Sequence, residues 1–212
     1  MMESGPADVW PLVHTERRRL VEDLANLPRS AWDTASLCED WSVHDVLAHL
    51  LESAMTTRLQ FVAGMVRARG DFHRANRDGI ERWQRADPQQ TLAEYGRAER
   101  ATRTPPAHPA TRLVEVYVHG EDIRRPLSLP GRYPREGIHA ALAHQLRTKV
   151  SFEGGRERAE GLRLRDSDTG MSWGEGPEVA GPAVDLLLAV SGRTLGDGQL
   201  TGPGAATLLA RA

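Results

Sequence analysis

The feature that most constrains the fold is the spacing of apolar residues in the N-terminal part of the chain, where they recur at intervals of three and four. Such spacing lines apolar side chains along one face of an α-helix. The stripes cover residues 9–27, residues 43–66 and residues 91–103. Pro109 suits the first turn of a fourth helix that ends near Gly120 or Arg125. The pattern therefore predicts four helices before Pro126.

The start of the second helix has its own signal. Ser42 can accept a hydrogen bond from the backbone three residues ahead, and Asp45 can reach back to the backbone of Ser42, which is a capping box. The apolar stripe then runs on to residue 66, so one long helix is predicted. Residues 71–84 are polar, with three apolar residues among them. Because four helices are assigned elsewhere, this stretch is interpreted as a connection between the second and third helices.

Residues 127–134 are dense in turn-forming residues and predict a domain boundary. We therefore divide the chain into an N-terminal domain of residues 1–130 and a C-terminal domain of residues 131–212. The second domain has a helical pattern at 138–150 and an alternating strand pattern at 161–166, followed by a predicted hairpin turn at 168–170 that leads into residues 171–173. An apolar helix is predicted from Gly181 to Val190. The fold class is α+β and mainly α: a four-helix bundle followed by a small α+β lobe.

Composition excludes several classes of function. The net charge is -2, which gives no general attraction to nucleic acid or to an anionic membrane surface. No segment approaches the roughly 20 apolar residues that cross a bilayer, and the N-terminus lacks a signal-peptide pattern, so we expect a cytoplasmic protein without membrane or nucleic-acid partners. Cys38 is the only cysteine. Any metal must therefore rest on histidine and carboxylate side chains.

Glu115 and His119 are the first candidates for such a site. Glu115 lies in the otherwise apolar run 113–118, where a buried carboxylate needs a strong partner. A spacing of four residues places Glu115 and His119 on one helical face, as in paired metal ligands. The same spacing occurs in exposed pairs, and the valines of this run also suit a strand, whose geometry would again place both side chains on one face.

A third ligand has to come from elsewhere, and His49 is one candidate. Helical geometry places His49 on the flank of the apolar stripe of the second helix, where it can face a neighbouring helix. It can equally hydrogen-bond a carbonyl oxygen or Asp45 one turn back. His44 lies on the opposite flank, so geometry alone does not exclude it as a ligand.

The run from Leu37 to Leu50, LCEDWSVHDVLAHL, resembles the signature of the mycothiol-dependent maleylpyruvate isomerase family, a branch of the DinB-like superfamily. Residues 119–126, 171–174 and 189–193 also resemble segments of that family, whereas residues 71–103 carry no matching motif. The resemblance implies a DinB-like bundle in which His49, Glu115 and His119 bind one divalent metal. His44 falls on the variable position of the motif and is left out.

The resemblance also implies an activity. Mycothiol would be the thiol cosubstrate, and a small electrophile would be the substrate of an isomerase or S-transferase. Zinc is the first choice of metal, although nickel, iron or manganese suits two histidines and a carboxylate. We assign no catalytic residue beyond the ligands and no residue to cosubstrate binding, and Cys38 is left out of the site. The alternative is a non-catalytic, metal-stabilised protein that binds a ligand or a partner, and the oligomeric state is not indicated.

Overall fold

A computed structural model of the chain describes residues 8–212. Contacts divide the chain into a first unit that ends at Arg132 and a second unit, Tyr133–Ala212. The helices of the first unit are α1 (Trp10–Leu24), α2 (Val43–Met55), α3 (Arg58–Arg67), α4 (Phe72–Trp83), α5 (Pro88–Arg97) and α6 (Thr111–Arg124), with a short 3-10 helix at Arg29–Asp33.

Four of these helices form the bundle. Helices α1 and α2 each pack against both α5 and α6. The shared core includes the buried side chains of Leu47, Leu50, Tyr95 and Ile123, with Trp32 from the connector before α2. Each large apolar side chain buried in this way stabilises the fold by roughly 1.5 to 3 kcal/mol. The prediction of a helical bundle in the N-terminal part is confirmed.

The predicted second helix was too long. Helix α2 begins with the expected capping box of Ser42 and Asp45 but ends at Met55. A second capping box, between Thr57 and Gln60, starts α3 in a new direction. The reason is local, because Thr56 has an extended backbone with φ -74° and ψ 125°, which no helix can include.

The polar stretch interpreted as a connection is also a helix. Asp71 accepts a hydrogen bond from the backbone N–H of Arg74 and starts α4, which packs against α2. Among its residues only Gly79 and Ile80 are buried. A Cβ atom at position 79 would stand 2.9 Å from Cγ of Glu52, so glycine permits the close approach of α4 to α2.

The second unit combines three helices with a small sheet. Its elements are a helix, α7 (Arg135–Gln145), a 3-10 turn at Val150–Phe152, strands β1 (Arg163–Asp166), β2 (Ser172–Trp173) and β3 (Glu178–Gly181), and helices α8 (Ala183–Val190) and α9 (Ala205–Leu209). The strand order is β2-β1-β3. The predicted hairpin pairs Leu164 with Trp173 in antiparallel register, and β3, which the sequence did not indicate, pairs in parallel with Leu164 opposite Val179. A mainly helical α+β chain is confirmed.

Candidate metal centre

Two helices of the bundle bring three predicted ligands together. His49 lies on α2 and is 7% exposed, while Glu115 and His119 lie one turn apart on α6. One donor atom from each residue lies within 4.8 Å of the other two. The helical form of the run 113–118 excludes the strand interpretation. Pairing of α2 with α6 in the bundle core therefore juxtaposes groups that are more than sixty positions apart in the sequence.

The closest contact in the group joins His49 to Glu115. Nε2 of His49 is 2.9 Å from Oε1 of Glu115. That distance suits a shared proton, and it is close to the roughly 3.3 Å that separates two ligands on one tetrahedral ion. Asp45, the other partner considered for His49, is instead engaged by Ser42 and by Gln84. His49 thus turns its imidazole to α6 rather than back along α2.

Glu115 is held in its anionic form. Burial alone would raise the pKa of its carboxyl group, but the charge of Arg112 and the hydrogen bond with His49 outweigh burial and hold the pKa well below its ordinary value. Arg112 is buried and its Nη2 atom lies 3.5 Å from Oε2 of Glu115. The carboxylate therefore presents one oxygen to His49 and the other to Arg112, and it can bind a cation without first losing a proton.

His119 is oriented by the residue three positions ahead. Its Nδ1 atom lies 2.8 Å from Oδ2 of Asp122, whose side chain is fully buried. Because Nδ1 faces Asp122, Nε2 is the atom that His119 can offer towards His49 and Glu115. Sequence reasoning missed Asp122, although its i,i+3 spacing from His119 was a usable signal.

Aromatic and sulfur groups complete the surroundings. The ring of Trp41 lies 5.1 Å from that of His49 and stacks at 6.3 Å on that of His119, while the two imidazole rings are 4.8 Å apart. Sγ of Cys38 lies 3.5 Å from Oδ2 of Asp122. Cys38, His119 and Asp122 form a second group whose donor atoms lie within 4.8 Å of one another.

The remaining predicted and excluded residues lie elsewhere. His44 is buried, and its Nε2 atom is 2.9 Å from Oγ1 of Thr91 on α5, outside both donor groups. Arg124 of α6 is buried in ion pairs with Glu16 and Asp23 of α1 and is not turned to either donor group. No helix within residues 8–212 is long and apolar enough to cross a membrane.

These features define a class. Two histidines and one carboxylate on facing helices are a donor set for a divalent metal that leaves coordination positions open, since closed structural zinc sites use four protein ligands. The donor types and the low pKa of Glu115 fit such an ion. Helix bundles in general can hold metal sites between facing helices.

Comparison with known proteins identifies the family. Residues 13–103 match the family model of the mycothiol maleylpyruvate isomerase N-terminal domain. This region of the chain thus belongs to that family, and the resemblance drawn from residues 37–50 is confirmed. The matched range includes His49 and ends before Glu115 and His119. No curated protein matches the chain at a significant level.

Solved structures share the fold over both units. A crystal structure of a mycothiol-dependent maleylpyruvate isomerase aligns with a TM-score of 0.61 at 15% sequence identity, covering 92% of this chain and 92% of that one. A mutant form of a mycothiol-dependent maleylpyruvate isomerase aligns equally well, with a TM-score of 0.61, 15% identity and 92% coverage of each chain. At this level of identity the likeness shows a common fold.

Proposed function

We propose that this chain is a metal-dependent enzyme that uses the thiol mycothiol and acts on a small electrophile as an isomerase or S-transferase. The observation that carries the proposal is the convergence of donor atoms from His49, Glu115 and His119 within 4.8 Å. The family of residues 13–103 supports the choice of thiol, and the activity of the protein with the similar fold supports an isomerase.

The three side chains would hold one divalent metal and leave room for a further ligand. Catalytic zinc sites commonly combine three protein ligands with a water or substrate molecule in the remaining position. Zinc is the first choice, and nickel, iron or manganese also suits this donor set. A bound cation would keep a coordinated thiol deprotonated at neutral pH, where a free thiol with a pKa of about 8.5 is only a few per cent ionised.

Residues of this chain would supply negative charge to the metal and hold its ligands in position. Glu115 brings a full negative charge because Arg112 and His49 keep it ionised. Trp41 lies against both imidazole rings and helps to hold them in place. Because the thiol comes from the cosubstrate, the reaction needs no protein nucleophile, and Cys38 is not assigned as one.

The test is metal analysis of the purified protein, followed by replacement with cobalt and titration with mycothiol. We expect one bound divalent metal per chain and a sulfur-to-cobalt charge-transfer band that grows with added thiol. Turnover is then measured over a panel of electrophiles that includes maleylpyruvate. A protein that binds metal but shows neither the band nor thiol-dependent turnover would instead be the non-catalytic binding protein.

Substitutions test whether the three candidate ligands are responsible for metal binding and turnover. His49→Ala should abolish thiol-dependent turnover, and Glu115→Gln should weaken metal affinity under chelator competition, since the amide keeps the size but removes the anionic ligand. His73→Ala, which removes an exposed histidine of α4, is the matched control and should behave as the parent. Parent-like metal affinity in Glu115→Gln would count against ligation by Glu115.

A further inference from the structure

The fully buried carboxylate of Asp122 is not one of the three proposed ligands. Two groups lie within hydrogen-bonding distance of its Oδ2 atom: Nδ1 of His119 at 2.8 Å and Sγ of Cys38 at 3.5 Å. The backbone of the same residue is also anchored, because its carbonyl oxygen accepts a hydrogen bond from the N–H of Leu37 at 3.2 Å. A buried carboxylate without such partners would cost several kcal/mol.

The contact with His119 has a chemical consequence. An imidazole that donates its Nδ1 proton to a carboxylate is fixed in one tautomer, in which Nε2 carries the lone pair. The negative charge behind the ring also makes Nε2 a stronger donor to a metal. Asp122 therefore acts on the atom that His119 presents to His49 and Glu115, although it contributes no atom to that group.

The connector before α2 holds this arrangement from the other side. Leu37 and Cys38 contact Asp122, and Trp41, three residues further on, stacks on the ring of His119. The ring is thus fixed between a carboxylate at one nitrogen and an indole on its face. The indole and the groups that contact Asp122 come from one short segment, residues 37–41, which leads into the helix that carries His49.

We propose that Asp122 is a positioning residue that selects the tautomer and orientation of His119 and thereby raises the affinity of the centre for its divalent metal. This inference rests on the proposed function, since it assumes that His49, Glu115 and His119 bind a metal. Hydrogen-bond partners of this kind typically contribute 10-fold to 100-fold to metal affinity.

The experiment compares Asp122→Asn and Asp122→Ala with the parent by chelator competition for zinc, with thermal unfolding of the metal-free proteins measured in parallel. Asparagine keeps an acceptor for the Nδ1 proton but removes the charge, whereas alanine removes both. We expect zinc affinity to fall by about 10-fold to 100-fold in Asp122→Asn and further in Asp122→Ala. A purely structural role would lower the metal-free melting temperature and leave the zinc affinity of the folded variant unchanged.

The second unit offers a matched control. Nε2 of His139 lies 2.8 Å from Oδ2 of Asp166, which is 2% exposed, and neither residue belongs to a donor group. Asp166→Asn removes a buried negative charge that lies next to a histidine, as Asp122→Asn does. We therefore expect altered stability but parent-like zinc affinity. An equal loss of affinity in Asp166→Asn would overturn the assignment of Asp122 to positioning.

Two other outcomes separate this inference from the proposed function. If the parent binds no metal, the proposed function fails; if the parent binds zinc and Asp122→Asn binds it equally tightly, only the positioning role fails. Cobalt-loaded parent without added thiol provides the last check. A sulfur-to-cobalt band there, lost in Cys38→Ser, would make Cys38, His119 and Asp122 the ligands and overturn the positioning role.

Discussion

Glu16, a buried carboxylate on α1, has a raised pKa. Glu16 is 2% exposed, and Arg124 of α6 contacts it at 2.5 Å while also contacting Asp23 at 2.8 Å. Burial raises the pKa of Glu16 to about 7, even though the charge of Arg124 acts in the opposite direction. The network therefore joins two bundle helices through a group whose charge changes near neutral pH.

The pH dependence of stability follows from the sign of this shift. Because the pKa of Glu16 is higher in the folded chain than in the unfolded chain, its contribution to stability is complete below about pH 4.5 and is lost as the pH rises to about 7. Between about pH 4.5 and about pH 8, the parent should lose on the order of 3 kcal/mol relative to Glu16→Gln, which has no charge to bury. Urea unfolding of both proteins across this range measures the difference. Parallel pH profiles would contradict the prediction.

In the candidate metal centre, the sequence predicted the three candidate ligands but not the residues that contact them. His49, Glu115 and His119 belong to residue types and spacings that indicate metal binding, and the structure places them together. The roles of Arg112 and Asp122 depend on which face of α6 turns inward and on which atoms meet there. The i,i+3 spacings of Arg112 from Glu115 and of Asp122 from His119 were visible in the sequence, but an arginine or aspartate on a helix is usually a solvated surface residue, so the spacing did not single them out.

Helix α2 begins at a capping box that the sequence predicts and the structure contains. Oγ of Ser42 accepts a hydrogen bond from the backbone N–H of Asp45, whose carboxylate accepts one from the backbone N–H of Ser42. Nine residues of α2 are buried, so the start of this helix is coupled to the packing of the bundle.

Removing this cap should lower stability by a measurable amount. We expect Ser42→Ala to reduce the free energy of unfolding by about 1 kcal/mol, because the N–H of Asp45 loses its acceptor. Thr57→Ala, which removes the equivalent cap from α3, is the control. No residue of α3 is buried, so local fraying of that helix should cost less in global unfolding. Equal losses in the two variants, measured by urea denaturation, would contradict this ranking.

The helix that sequence reasoning missed illustrates a limit of hydrophobic periodicity. Helix α4 buries only Gly79 and Ile80. Its larger apolar residues, Phe72, Ile80 and Trp83, do lie on one helical face, but they are sparse in a polar run and were interpreted as part of a connection. Its position depends on contact with α2 and on the small size of Gly79. Strand β3 was missed for a related reason, since four residues become a strand here only because β1 offers a partner.

Metal binding should stabilise the first unit as a whole, because the proposed ion would link α2 to α6. A ligand that binds only the folded state at a concentration 100-fold above its dissociation constant adds about 2.7 kcal/mol to the free energy of unfolding. We expect zinc to raise the melting temperature of the metal-free parent and a chelator to reverse the rise. Glu115→Gln should show a smaller shift at the same zinc concentration. A parent that binds zinc with no change in melting temperature would show that the folded and unfolded chains bind zinc equally well, so the zinc site would not depend on the pairing of α2 with α6.

The sequence by itself determined the helical periodicity, the cap of α2 and the identity of the chemically distinctive side chains. These are local properties, since they depend on residues three or four positions apart. Tertiary structure decided that α4 packs against α2, that β3 pairs with β1, and that Cys38 of the connector meets Asp122 of α6. Those features arise from contacts between segments distant in the chain, such as Cys38 with Asp122, whose free energy no local pattern contains.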